Sequence, residues 1–288
     1  MIYVLFPAYN EEQVIRPTLR AFAEAIRGRE SDYHAVLVDD GSTDATVAEA
    51  ERAVTESGGQ LPLTVLRHGV NRGLGAGLRT GIYWCLDHAG DDDVLVTLDA
   101  DNTHPPAMIP TLVARVREGF DVAIASRYRA GAEVHGVPGY RRALSDLGRL
   151  VFQTLYPIPG VRDYTCCFRA YRMPVLRQAR VVYGEELCTA RGFEAVMDLL
   201  LRLGPLGIRV SEIGFVLDYG ERVGQSKMKV LRTIRSTLSL LARRRLERLT
   251  RYTKRHVRAR LAAAEHAPVG AAGGAGRATA GLGGRSVS

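Results

Sequence analysis

Short apolar runs alternate with stretches of helical spacing through the first two-thirds of the chain. Ile2-Tyr3-Val4-Leu5-Phe6 is a β-rich run closed by Pro7, and Val14, Leu19, Phe22 and Ile26 place one apolar face on a helix over 11–26. Ala35-Val36-Leu37-Val38 is a second strand, closed by Asp39-Asp40-Gly41-Ser42, with a helix over 43–54 behind it. The same alternation predicts strands at 63–66, 93–98 and 121–125, and helices at 73–86 and 108–117. This rhythm predicts an α/β fold, a mainly parallel sheet flanked by helices on both faces. Ligands of such sheets sit beyond the carboxyl ends of the strands, where this chain carries its polar clusters PAYNEE, DDGSTD and DADNTHPP.

The pattern loosens after Arg142. Helices are predicted over 144–155 and 193–203, a strand over 208–217, and a short strand or loop over 166–171, with a Pro-Gly break at 157–160. A long basic helix follows over 230–261, with Leu231, Ile234, Leu238 and Leu241 on one stripe. From Ala267 to Ser288, 13 of 22 residues are Gly or Ala, a composition that buries no core and reads as disorder. Three segments are therefore expected: an α/β catalytic domain over 1–226, a basic amphipathic helix over 227–261 and a Gly/Ala-rich tail over 262–288.

Composition, 46% hydrophobic and 24% charged, excludes a collagen-like, coiled-coil or wholly disordered chain. Four cysteines, two of them adjacent at 166 and 167, form neither a disulfide framework nor a CxxC pattern and suit a reducing compartment. The first residues hold no secretory signal, and no apolar run approaches the roughly 18 residues that span a bilayer. A cytoplasmic protein, peripheral at the inner face of the cell membrane, is expected. The net charge of +8 is unevenly spread: residues 1–226 carry 24 Lys and Arg against 29 Asp and Glu, whereas 227–261 carry 13 against the single acid Glu247. Such an arm suits an anionic membrane surface met by residues 230–261. No aromatic platform or recognition module accompanies it, so nucleic acid is not an expected partner.

Asp99-Ala100-Asp101, directly after a buried strand, is the sharpest chemical feature. Two carboxylates one residue apart on a strand-end loop can hold a hard divalent cation with a diphosphate, because Mg²⁺ and Mn²⁺ take oxygen ligands. A solvated turn is the plain alternative for such a pair taken alone. Tyr9, Glu11 and Asp40 can converge on one pocket, offering a nucleoside an aromatic ring and carboxylates. Ser42, Thr43 and Asp44 also suit the start of the next helix. Gly73-Leu74-Gly75-Ala76-Gly77 fails the G-x-G-x-x-G spacing of a dinucleotide site, and the seven histidines are too scattered for zinc.

The ordered blocks PAYNEE (7–12), VDDGSTDAT (38–46), NRGLGAGLRTG (71–81), LDADNTHPP (98–106), SRYRAG (126–131), RDYTCCFRAYR (162–172) and ERVGQSKM (221–228) resemble family 2 glycosyltransferases. The likeness is strongest to their polyprenol-phosphate (dolichol-phosphate mannose synthase-like) branch and covers residues 2–230. It implies a GT-A fold, a nucleotide-sugar donor, Mg²⁺ or Mn²⁺, and transfer with inversion at the anomeric carbon. Carried over residue by residue, it places Pro7, Tyr9, Glu11, Val38 and Asp40 in the nucleoside pocket. Asp99, Ala100 and Asp101 fall at the diphosphate, with Asp99 and Asp101 as metal ligands and Asp101 the main one. Arg127 faces the diphosphate and sugar, Arg222 and Lys227 close over the phosphates, and Arg141, Arg142 and Ser145 fall where the family binds the acceptor phosphate. Asp101, Arg127 and Arg222 are the implied catalytic residues. Thr103 stands where relatives offer Gln as a further metal ligand, and Cys167 replaces a small residue of its block.

A phosphate acceptor agrees with the residues themselves. A phosphate monoester, with a second pKa near about 6, is already anionic at neutral pH and needs only positioning, for which arginine's planar fork is suited. A hydroxyl acceptor needs a general base, and Glu194, Glu185 and Glu186 are the candidates. The expected activity is sugar transfer to a polyprenyl phosphate at the cytoplasmic membrane face. The alternative is a same-fold transferase acting on a soluble hydroxyl acceptor such as a natural-product intermediate.

Overall fold

The computed structural model describes residues 1–101, 103–137, 139–218, 230–250 and 261–262. In chain order the first half forms β1 (Ile2–Ala8), α1 (Ile15–Ala25), β2 (Tyr33–Asp39), α2 (Thr46–Glu56), β3 (Leu63–Arg67), α3 (Leu74–His88), β4 (Val94–Thr97), α4 (Ile109–Arg117) and β5 (Val122–Ser126). The second half adds β6 (Glu133–His135), α5 (Gly139–Leu155), β7 (Arg169–Arg172), α6 (Met173–Tyr183), α7 (Glu194–Leu203), β8 (Val210–Gly214), β9 (Val216–Asp218) and α8 (Val230–Thr250).

Seven strands form one sheet in the order β3-β2-β1-β4-β7-β5-β8. Neighbours pair in parallel except β7, which runs antiparallel to both β4 and β5. Val4, Leu5, Phe6, Val36, Leu37, Val38, Leu95 and Val96 are closed to solvent, as continuous apolar strands covered on both faces must be. α1 lays Ile15, Leu19 and Phe22 on the sheet, and the Phe22 ring meets Phe6 and Tyr33 edge-on at 5.6 and 6.1 Å. Each such side chain contributes about 1.5–3 kcal/mol by leaving water. α3 tolerates its glycines because contact demands them. A Cβ at Gly81 would stand 2.2 Å from Leu5 Cδ1, and one at Gly75 would stand 2.0 Å from the Ala190 carbonyl oxygen.

Several elements differ from the sequence pattern, each for a local reason. α1 starts at Ile15 because the Glu11 carbonyl closes a turn onto Val14 and Ile15 while the Glu11 N–H goes to Thr46. The expected strand over 208–217 breaks at Phe215, so that β8 stays in the main sheet and β9 pairs with β6 as a parallel ribbon. The segment left between strand and loop becomes β7, anchored by the buried Arg169, which donates to the carbonyls of Tyr164 at 2.7 Å and Val196 at 2.8 Å. The basic segment forms α8, but its stripe is split. Leu240, Leu241 and Arg244 are buried, whereas Ile234 and Leu238 are exposed. Residues 227–229, 251–260 and 263–288 lie outside the described set, as does the Leu231 side chain. Among the described residues no helix is long and apolar enough to cross a membrane.

Candidate active site at the strand ends

The parallel registers Ala8↔Asp39, Asp39↔Arg67 and Leu5↔Thr97 bring the loops after β1, β2, β3 and β4 to one edge of the sheet. There the loops are laced by side chain-to-backbone hydrogen bonds. Asn10 N–H donates to Ser42 Oγ at 2.9 Å, Thr43 N–H to Asn10 Oδ1 at 2.8 Å and Ala45 N–H to Glu12 Oε2 at 3.0 Å. Asp39 Oδ1 receives Ser42 N–H at 3.1 Å, and Asp44 Oδ1 receives Thr46 N–H at 3.0 Å. Ser42 and Thr43 therefore tie the first loop to the second rather than cap α2, whose start is served by Asp44. Asp40 is buried and holds the next loop, accepting from the backbone N–H groups of Arg72 and Gly73 at 2.9 and 2.7 Å. Pro7 and Val38 lie within van der Waals reach of the Gly77 position on α3. The expected nucleoside residues thus share one corner of the sheet, with Tyr9 exposed at its mouth.

Asp99-Ala100-Asp101 follows β4 on the same edge. The Ala100 carbonyl accepts from Thr18 Oγ1 at 3.2 Å, and Asp101 Oδ1 receives both the N–H and the hydroxyl of Thr103, at 3.2 and 2.6 Å. Thr103 thus sits on Asp101 itself. His104 is packed under this turn, stacked on Phe168 at 5.3 Å. Its Nδ1 accepts the Asp99 N–H at 3.4 Å and lies 3.7 Å from Asp99 Oδ2, and its Nε2 is 3.9 Å from Cys166 Sγ. Burial pushes the Cys166 thiol up to about 12, with Asp163 adding to the rise. Burial, and then Asp99, raise the Cys167 thiol as well, so neither is a thiolate nucleophile at neutral pH. Cys167 enters the edge through its carbonyl, which accepts from Thr97 Oγ1 at 2.5 Å.

Arg127, at the end of β5, does not stand alone. Its Nε and Nη2 make a two-pronged pair with Asp163 at 2.8 and 2.7 Å, and Nη2 also donates to Thr165 Oγ1. Asp163 is closed to solvent and accepts backbone N–H groups of Arg127, Thr165 and Cys166, each at 3.1 Å. Burial alone would raise the Asp163 pKa, but Arg127 and these donors outweigh it and hold it at about 2. Burial likewise opposes the Arg127 charge and is outweighed by Asp163, so that guanidinium stays protonated. Beneath them lies the buried Glu212 of β8. It accepts the N–H groups of Arg162 and Asp163 at 2.6 and 2.7 Å, Ser126 Oγ at 3.1 Å and Arg129 Nε at 2.9 Å. Sequence reasoning missed Asp163 and Glu212. The available signal was a charge set inside the apolar run Val210 to Leu217.

The expected acceptor residues lie on α5. Arg142 donates to the Val134 carbonyl, and Ser145 is half-buried one turn on. Arg141 is in the same turn, its side chain outside the described set, and Arg222 and Lys227 are outside it entirely. The three glutamates considered as bases are engaged elsewhere. Glu194 starts α7, with Oε1 receiving Gly192 N–H at 3.2 Å and Oε2 receiving Ser236 Oγ of α8 at 3.0 Å. Glu185 pairs with Arg79 and Glu186 with Arg202. α8 is fixed to α7 by Arg244, whose Nε donates to the buried Asp198 at 2.7 Å, and to the end of α5 by the Tyr156 hydroxyl on the Leu241 carbonyl at 2.5 Å.

Asp99 and Asp101 fit a hard divalent cation. Both are oxygen donors on the turn that closes β4, the Asp99 side chain is 35% exposed, and no group of three His, Cys, Asp or Glu side chains among the described residues closes a protein-only cage. Mg²⁺ and Mn²⁺ commonly bind through one or two carboxylates and complete their shell with phosphate and water oxygens.

Residues 3–180 match the family described as glycosyl transferase family 2. The chain belongs to that family. This glycosyltransferase is 32% identical over 229 residues to the dolichol-phosphate mannosyltransferase of Pyrococcus furiosus, covering 79% of this chain and 59% of that one. It is 30% identical to the undecaprenyl-phosphate mannosyltransferase of Micrococcus luteus (79% and 87% covered) and 31% identical to the polyprenol monophosphomannose synthase of Mycolicibacterium smegmatis (78% and 80%). Among solved structures it resembles glucosyl-3-phosphoglycerate synthase from Mycobacterium tuberculosis in complex with Mn²⁺, UDP-glucose and phosphoglyceric acid. That likeness has a TM-score of 0.58 at 20% identity over 85% of this chain and 79% of that one. At this identity the likeness speaks to the fold, which is GT-A.

Proposed function

We propose that this glycosyltransferase moves a sugar, with inversion, from a nucleoside diphosphate to a polyprenyl phosphate at the cytoplasmic face of a membrane, with Mg²⁺ or Mn²⁺ at Asp99 and Asp101. The observation that carries the acceptor is the open face of α5. Arg141 and Arg142 lie in its first turn, and Tyr140, Leu144, Leu147 and Leu150 are exposed along it. An anionic head followed by an apolar chain is the ligand that such a face suits, and the lipid phosphates in the names of the three relatives agree with it. Glu194 is engaged with the start of α7 and with α8 through two hydrogen bonds, and a phosphate acceptor needs no base.

In this reading an acceptor phosphate oxygen attacks the anomeric carbon while the bond to the nucleoside diphosphate breaks on the opposite side. The metal, when bound, offsets the negative charge gathering on the departing diphosphate. The chain supplies the frame. Pro7, Tyr9, Glu11, Val38 and Asp40 receive the nucleoside, and Asp99, Ala100 and Asp101 receive the diphosphate. Arg127, held in one orientation by Asp163, joins Arg222 and Lys227 at the phosphates, while Arg141, Arg142 and Ser145 orient the acceptor. The outer side of α8 exposes Ile234, Leu238 and Leu246 beside Arg235, Arg243 and Arg245. That side suits an anionic membrane interface, where each basic residue contributes about 1 kcal/mol.

The test is transfer of label from a panel of nucleotide sugars into a short polyprenyl phosphate, read in the organic phase. Label lost with EDTA and with Asp101→Ala supports the reading. Nucleotide-sugar binding without lipid labelling passes the acceptor to a soluble hydroxyl compound.

A further inference from the structure

At the nucleoside corner, the partners of Asp40 fix how many hydrogen bonds its carboxylate can still accept. Oδ1 receives His68 Nδ1 at 2.7 Å and the Arg72 N–H at 2.9 Å, and Oδ2 receives the Gly73 N–H at 2.7 Å. An ionised carboxylate offers about four lone-pair sites and no donor. Nδ1 of His68 is therefore the donor of that pair, and Nε2 lies 2.9 Å from Thr80 Oγ1. The His68 ring is buried and held at both nitrogens, and its backbone N–H is bonded to the Asp39 carbonyl at 2.8 Å. Three of the four acceptor sites of Asp40 are thus occupied within the chain, and the one that remains is on Oδ2.

We propose that His68 makes Asp40 a single-acceptor reader of the nucleobase, so that the donor is a uridine or thymidine diphosphate sugar and not a guanosine one. The inference rests on the donor-site reading above and adds the class of base. Guanine turns two adjacent N–H groups, one on the ring and one on the amino group, toward a carboxylate and calls on both of its oxygens. Asp40 Oδ1 has no site left for the second. Uracil and thymine turn one imide N–H between two carbonyls, which is what a lone acceptor takes. Cytosine and adenine set a ring nitrogen lone pair beside their amino group, and that lone pair faces the carboxylate unfavourably. A guanine donor left buried without a partner lowers affinity by about tenfold to a hundredfold. His68 does not touch the base in this account. It is a positioning residue that acts through Asp40.

The experiment is calorimetric titration of the full chain with UDP, dTDP, GDP, CDP and ADP in the presence of Mn²⁺. UDP or dTDP binding at least about tenfold tighter than GDP is the expected result. His68→Phe, which keeps a ring but frees Oδ1, narrows that ratio, and His68→Gln, which restores an N–H donor, widens it again. GDP binding as tightly as UDP, or CDP or ADP binding tightest, overturns the inference and leaves the donor site standing. An unchanged ratio in a folded His68→Phe overturns the role of His68. If that variant does not fold, the wild-type panel decides by itself. No binding of any nucleotide removes the donor-site reading, a result distinct from a wrong base preference.

Discussion

The strand-end edge and the exposed sides of α5 and α8 depart from ordinary inside–outside sorting in opposite directions. At the edge, the side chains of Asp40, Asp163, Glu212 and His104 are buried, each with hydrogen-bonding partners. On these two helices, Leu147, Leu150, Leu238 and Leu246 are 58–63% exposed. Burying ionisable groups costs free energy unless partners are supplied, and the loops supply them. Exposing a row of large apolar side chains serves folding not at all, and such rows mark places where something else docks. In the proposed reading the two departures separate the work of the molecule: a polar edge for small, charged groups and exposed apolar helix sides for a lipid or a membrane.

Substitutions that act on only one of the two regions sharpen this contrast. The largest effect is expected for Asp101→Ala, which lowers lipid labelling by about 10³-fold or more while liposome flotation stays as in the wild type. Equal loss of both would break the separation. Asp163→Ala leaves the half-buried Arg127 without its carboxylate partner and lowers stability by about 2–4 kcal/mol in urea unfolding. The same pair responds to acid. Because the Asp163 pKa is depressed to about 2, its contribution is whole above the unfolded value near about 4 and is lost as pH falls toward 2. The loss is on the order of 2 kcal/mol, read as a fall in unfolding midpoint over that window that Asp163→Ala lacks. On the other face, Leu147→Ser with Leu150→Ser weakens partition into anionic liposomes by about tenfold, with stability changed by less than about 0.5 kcal/mol. The smallest effect is Arg245→Ala, about fivefold in the same assay at low salt and less at high salt.

Most of the edge was legible in the sequence because parallel strands announce themselves. The runs 2–6, 35–38, 63–66, 93–98 and 121–125 became β1 to β5, and the polar clusters after them met at one edge. What stayed hidden is long-range. β7 carries a buried arginine that breaks its apolar run, and its antiparallel place between β4 and β5 depends on partners 45–49 and 72–78 residues away. Asp163 and Glu212 read as solitary charges until folding set them together. His68 and His104, too scattered for a metal site, instead hold single acids in place. In α8 the period of 3.6 located the helix but not its two sides. Arg244, counted with the basic face, packs inward on Asp198, which no spacing rule within one helix reveals.

All four cysteines are free and buried, and burial raises every thiol, Cys85 and Cys166 to about 12. A thiol reagent acts on the thiolate, so the native chain is nearly silent toward maleimides at neutral pH. One cysteine introduced on the outer side of α8 would then carry a fluorophore or spin label in an otherwise unmodified protein. The approach of that helix to a bilayer could be watched directly, without first stripping the sulfur from the core.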